Sequence, residues 1–216
     1  MDNKSNNSEL GGKAKNLTIL KNAGFRVPEF ITIVDEISEK ELLNLIDINF
    51  KIKYFAVRSS AIVEDGTQTS FAGHFYSAVG VTFENLFKEY LNVRKSFGNQ
   101  SGAVIIQEFV PSAKSGVLFT DAGENKILIN ANFGLCKSVV EGEPCDEYIY
   151  SRNSIPLKEH IEKNKNPLFF DNGNFNKKLK SAEKVLNENE IKLLIDKCLE
   201  IEKNFGIPQD IEWCFY

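Results

Sequence analysis

The stretch YFAVRSSAIVEDGTQTSFAG, residues 54–73, decides how this chain is read. Residues 54–57 alternate β-favouring apolar side chains with period 2, the pattern of a strand. Arg58 stands at the end of that pattern, followed by two small hydroxyls, Ser59 and Ser60. An acidic turn pivots on Asp65 and Gly66, and the run closes on Ser70, Phe71, Ala72 and Gly73. A cation at a strand end, with small residues and a glycine loop beside it, suits a polyphosphate. The guanidinium can fork onto two phosphate oxygens, and a glycine-bearing backbone can approach them closely. An arginine in an ordinary surface ion pair is the alternative.

Working outward, GGKAKNL at 11–17 leads into KNAGFRVPEFITI. The glycine pair precedes a short amphipathic helix with Ala14, Leu17 and Leu20 on its apolar side. Gly24 is a C′ stop, and Pro28 leads into a strand over 30–34. Lys13 therefore falls in the first helical turn, where unpaired N–H groups already favour an anion. A solvated lysine beside a helix start is the plain alternative.

Further along, Ser38 with Glu41 three residues later marks a capping box for a short helix. Thr82 caps a helix whose stripe is Leu86, Phe87, Tyr90, Leu91 and Val93. The segment GNQSG at 98–102 reads as a linker, so the expected division is a lobe over 1–102 and a lobe over 103–216. Residues 103–110 are an almost unbroken apolar run, a central strand interrupted by Gln107 and Glu108. Strands follow at 116–120, 126–132 and 148–150, and 151–180 is a polar hairpin or excursion. A strong helix over 188–204 ends at Gly206 and Pro208, and a strand over 209–215 closes the chain. Mixed strands and helices in two lobes give an α+β class.

The 216 residues carry a net charge of −4, with no basic surplus for non-specific nucleic-acid binding. The opening MDNKSNNSE is polar, without the apolar core of a signal peptide, and no apolar run is long enough to span a bilayer. Cys136, Cys145, Cys198 and Cys214 show no paired spacing for zinc and read as reduced, semi-buried thiols of a cytoplasmic protein.

Five blocks occur in order: GGKAKNL…AGFRVPEF, AVRSSAIVEDGTQTSFAG, VIIQEFVPSAKSGVLFT, NFGL…VVEGEPCDEY and GIPQDIEW. Together they resemble the N-terminal ATP-grasp nucleotide-binding domain of the pyruvate phosphate dikinase and phosphoenolpyruvate synthase family. Rifampin phosphotransferase and glucan water dikinase belong to the same wider group. The resemblance runs from about Leu10 to Trp213.

It implies a two-lobed ATP-grasp fold that binds ATP with Mg²⁺. Lys13 and Arg58 would neutralise the triphosphate, and Gly73 matches the loop glycine whose backbone approaches the nucleotide. Ser77 stands where the family usually has Thr, within reach of the same phosphates. Gln107 and Glu108 interrupt an apolar strand, and buried polar groups must find partners. In the family this is the hinge near adenine or ribose, with Gln107 the contact and Glu108 a contact or a hinge salt bridge. Asp210 and Glu212 lie two apart in a strand, so both carboxylates share one side while Ile211 and Trp213 take the other. Glu212 matches the family's metal carboxylate and Asp210 supports it, in the manner of Mg²⁺ held together with phosphates. A solvated acidic face is the alternative.

The family's reaction passes the β-phosphoryl of ATP through a histidine to an acceptor, releasing AMP and phosphate. Its phosphohistidine lies in a separate swivelling domain within His-Ala-Ala, a context that neither His74 nor His160 has. The expected partners are therefore ATP and a swivelling or acceptor domain supplied in trans or by further sequence, with no nucleic acid and no membrane. Departures from the pattern are Cys136 and Lys137 within the family's GLGEAVV block, and Asn130 in place of Glu. The span from Gly73 to Gln107 is short, which gives a compact first lobe. The chain also stops at Tyr216, before the family's Leu-Gln-x-Arg strand, so a truncated fold is expected. The expected function is the ATP-binding module of a dikinase-type phosphotransferase. The alternative is a non-catalytic, ATP-responsive binding protein.

Overall fold

The computed structural model describes residues 10–62, 75–177 and 182–216. The chain divides into two compact units, Met1–Phe109 and Val110–Tyr216.

The first unit is built on a four-stranded antiparallel sheet in the order β1 (Phe30–Ile33), β4 (Gly102–Glu108), β2 (Tyr54–Ala61), β3 (Ala78–Thr82). Strand alternation sends Phe55, Val57, Val104 and Ile106 to one face, where α2 (Glu39–Asn49) and α3 (Leu86–Ser96) pack over them. Burying each such side chain contributes about 1.5–3 kcal/mol. Tyr90 is buried among them with its hydroxyl satisfied, accepting from the amide of Ile37 and from Nε of Arg94, each at 3.2 Å. The capping box read from the sequence holds, with Ser38 and Glu41 bonded reciprocally at the start of α2. On the opposite face Ala103 and Ile105 meet Leu10 and Ala14, which bring α1 (Gly12–Asn22) onto the sheet. Gly24 adopts φ +82 and closes α1, with Phe25 N–H reaching the carbonyl of Leu20 at 3.0 Å.

The sequence placed the boundary between 102 and 103, whereas the units divide between Phe109 and Val110. The reason is β4, which lies between β1 and β2 and hydrogen-bonds to both. Residues 98–102 only turn the chain from α3 into that strand.

The second unit carries a five-stranded antiparallel sheet in the order β11 (Asp210–Phe215), β5 (Lys114–Phe119), β6 (Lys126–Phe133), β7 (Asp146–Ser151), β8 (Pro156–His160). One face presents Leu118, Ile127, Ile129, Tyr148 and Trp213 to the long helix α5 (Glu188–Phe205). That helix starts at a second capping box, Asn187 with Glu190, and stops at Gly206 in the left-handed conformation. A four-residue helix, α4 (Lys137–Val140), follows the Gly134 turn. The polar excursion resolves into β8 on the sheet edge and a separate hairpin, β9 (Leu168–Asp171) with β10 (Asn174–Lys177). Asn172 and Gly173 have φ of 48° and 86°, the paired positive values of a two-residue hairpin turn.

Beneath that excursion Asp146 and Lys165 form a fully buried ion pair at 2.7 Å. The same carboxylate accepts from the amides of Glu162 and Val185 and from the Tyr148 hydroxyl. It thereby ties the polar segment and the approach to α5 onto β7. Of the cysteines, Cys198 is buried, Cys136 and Cys145 are half-buried, and Cys214 is exposed, contrary to the semi-buried expectation. The exposure follows from alternation on β11, where Trp213 takes the inward position. Among the described residues no helix is long and apolar enough to cross a membrane.

Candidate functional site

In the first unit the helix start that carries Lys13 is seated on β2. The amide of Ala14 donates to Oγ of buried Ser60 at 3.0 Å, and the preceding Gly11 lies directly against the strand. A Cβ on Gly11 would come within 2.5 Å of the carbonyl oxygens of Ser60 and Ala61, so only glycine permits this approach. The N-cap itself offers no side-chain hydrogen bond, and no acid occupies the first turn of α1. Lys13 is exposed there.

Arg58 lies two residues before Ser60 on β2, so the two share a face of the sheet. The registers Arg58↔Ile105, Ser60↔Ala103 and Ala56↔Gln107 put Gln107 on that same face. Gln107 is only 5% exposed. Ser77 is exposed immediately before β3, and one further step of the register Val57↔Ala78 sets it across from Arg58. Lys13's helix start, Arg58, Ser77 and Gln107 are thus gathered around one face of one sheet. Glu108 is not among them. It follows Ile106 by two residues and takes the α2–α3 side of the sheet, half-buried, with its amide bonded to the carbonyl of Glu29. Gly73 and His74 lie outside the described residues.

In the second unit Asp210 and Glu212 are both exposed on the outer side of β11, while Trp213 turns into the core. Although Asp210 is exposed as a residue, its carboxyl is partly desolvated. That effect first, and the charge of Glu212 second, push its pKa up. The registers Glu212↔Val117 and Val117↔Asn130 bring Asn130 to the same side of the sheet, two strands away. Among the described residues no group of three or more His, Cys, Asp or Glu stands together as a metal cage. Two same-face carboxylates fit a different manner of binding, in which Mg²⁺ keeps water and phosphate oxygens as most of its ligands. His160 sits on the exposed edge strand β8, 3.6 Å from Glu162.

Sequence reading missed Ser60 as the residue that holds α1. The local letters, a serine after a serine in a strand, carry no sign of a partner 46 residues away. The juxtaposition of Gly11 with Gly12 was the available signal, since tandem glycines mark a close backbone approach.

β2 runs on to Ala61, so Arg58 stands within the strand and not at its end, and it shares its sheet face with a glycine-seated helix start and a buried glutamine. Residues 98–216 match the family model described as pyruvate phosphate dikinase, AMP/ATP-binding domain, and the chain belongs to that family. It is 36% identical over 186 residues to a protein from Archaeoglobus fulgidus named "Probable phosphoenolpyruvate synthase", covering 74% of this chain and 25% of that one. It is 30% identical over 196 residues to the phosphoenolpyruvate synthase of Pyrococcus furiosus, covering 75% of this chain and 24% of that protein. The rifampicin phosphotransferase of Bacillus cereus is 31% identical over 192 residues, covering 74% of this chain and 21% of that protein. The chain spans about a quarter of the length of the curated relatives it matches. The α+β class and the family read from the five sequence blocks both stand.

Proposed function

We propose that this chain is the ATP-binding module of a dikinase-type phosphotransferase. In that reading ATP ends as AMP and phosphate, and its β-phosphoryl passes through a histidine on another domain to an acceptor. The observation that carries it is the shared sheet face of Arg58 and Gln107, onto which Ser60 seats the helix start of Lys13.

Each residue has a separate task there. Arg58 forks onto two phosphate oxygens, and Lys13 adds a second positive charge at a helix start whose N–H groups also favour an anion. Ser77 contributes a hydroxyl beside Arg58. Gln107, only 5% exposed, is the contact for the base or ribose from the same face. In the second unit Glu212, supported by Asp210, would hold Mg²⁺, which when bound supplies positive charge for an anionic ligand. Glu108, on the other face, is a salt-bridge or backbone position and not a nucleotide contact. The four thiols and the acidic surface suit a cytoplasmic setting.

The test is a melting experiment with and without Mg·ATP. A ligand at 100 times its Kd stabilises the native state by about 2.7 kcal/mol. Lys13→Ala and Arg58→Ala should each remove most of that gain, and full stabilisation in both variants defeats the assignment. Catalysis is tested with β-labelled ATP. The chain alone should bind ATP but turn it over negligibly, because positioning without a nucleophile leaves phosphoryl transfer incomplete. Adding a His-Ala-Ala swivelling domain from the same organism should yield AMP and an acid-labile label on that domain. Binding without label would favour a non-catalytic, ATP-responsive protein.

A further inference from the structure

Ser77 is exposed and lies outside any strand, yet the two residues before it are anchored on α3. The Phe75 ring meets Phe97 edge-on at 5.7 Å and packs against the core of the first unit. Tyr76, 42% exposed, donates its hydroxyl to Oε2 of Glu89 at 2.7 Å. Glu89 is itself steadied by Nδ2 of Asn92, which donates to the same oxygen at 3.0 Å. The Tyr76 hydroxyl is correspondingly held protonated, its pKa raised chiefly by that bond to the carboxylate.

The Tyr76–Glu89 bond has little to offer stability. An exposed hydrogen bond on the surface of a helix contributes little beyond what water would give. What it does fix is direction. Phe75 and Tyr76 are tied to α3 and its C-cap, and Ala78 is paired with Val57 of β2, so both flanks of Ser77 are fixed and one further step of that antiparallel register sets Ser77 across from Arg58.

We propose that Glu89, acting through Tyr76, is a positioning residue that holds the Ser77 hydroxyl beside Arg58 for a phosphate group of the nucleotide. This rests on the reading of that sheet face as the ATP site. Neither Glu89 nor Tyr76 touches the nucleotide.

The test measures the Kd for Mg·ATP and the nucleotide-free melting temperature in the full chain for Tyr76→Phe, Glu89→Ala, Glu89→Gln and Arg58→Ala. Tyr76→Phe and Glu89→Ala should weaken ATP binding about three- to tenfold, the scale of one hydrogen bond, without lowering the melting temperature. Glu89→Gln keeps an acceptor for the Tyr76 hydroxyl and should bind within about twofold of the parent. The positioning role is overturned in three ways. One is unchanged affinity in Tyr76→Phe and Glu89→Ala while Arg58→Ala loses binding. Another is a Glu89→Gln variant as weak as Glu89→Ala. The third is an affinity loss that tracks a fall in melting temperature across the set. If Arg58→Ala also binds normally, the site reading itself fails and takes this inference with it.

Discussion

Ser60 Oγ accepts the amide of Ala14 at 3.0 Å, so the start of α1 is held by a strand and not by its own N-cap. One hydroxyl therefore links two segments that the sequence presents 46 residues apart. Ser60→Ala should cost about 1 kcal/mol, the usual value of a lost cap, and should also weaken ATP binding because Lys13 moves with the helix. Gly11→Ala should be worse, about 3 kcal/mol, because the added Cβ meets backbone oxygens that cannot turn aside. Gly24→Ala has open space around it and should cost only the left-handed penalty of about 1–2 kcal/mol. Urea unfolding of the three variants gives the order directly. A Gly11→Ala variant no worse than Gly24→Ala would contradict the close approach.

Glu212→Gln keeps the size and hydrogen-bonding capacity of the side chain and removes its charge. Nucleotide affinity measured with Mg²⁺ should fall well below the parent's, while affinity measured in a chelator should stay close to it. Asp210→Asn should show the same pattern more weakly. Equal losses in both conditions would make Glu212 a structural residue of β11.

Asp146→Asn leaves the fully buried Lys165 ammonium facing a neutral amide, and breaking a buried pair in this way costs about 3–5 kcal/mol. Lys165→Met should cost less, because Asp146 still receives the amides of Glu162 and Val185 and the Tyr148 hydroxyl. Chemical denaturation of the two single variants would show the asymmetry, and its reversal would mean that the lysine is the indispensable partner.

Glu202 provides a pH-dependent contribution. Arg152 bridges its carboxylate and the carbonyl of Thr120, and this bond first holds the Glu202 pKa below the usual range. A carboxylate depressed in the folded state stabilises fully above its unfolded pKa of about 4.3, and that contribution disappears as pH falls through the folded value. The stability difference between the parent and Glu202→Gln should therefore be constant near neutrality and shrink on acidification below about pH 4.3. A difference that persists at the most acidic pH would locate the effect in packing.

Much of this arrangement is legible from the letters because it repeats. The strands around Arg58 and Glu212 alternate, the Ser38 and Glu41 pair announces a helix start, and Gly24 announces a stop. What stays hidden depends on single partners far away in sequence. Lys165 sits in a run of polar residues and reads as solvated, yet it is fully buried because Asp146 awaits it. Glu108 and Gln107 read as one pair in an apolar strand, but alternation sends them to opposite faces and only Gln107 joins Arg58. The glycine- and serine-bearing stretch at 98–102 looked like a border between lobes because composition marks a turn without marking which sheet the next strand enters.

That placement of β4 also sets an order of events during synthesis. Among the described residues strand β1, made early, pairs with β4 alone, and β2 pairs with β3 and β4. A nascent chain that ends before Gly102 has no partner for β1 and leaves one edge of β2 open, with Phe55 and Val57 short of their neighbours. The first unit cannot close its core until residues 102–108 have left the ribosome, by which time α1, α2 and α3 are already outside. An emerging chain therefore carries exposed strand edges over that interval, when nascent-chain chaperones have the most surface to hold.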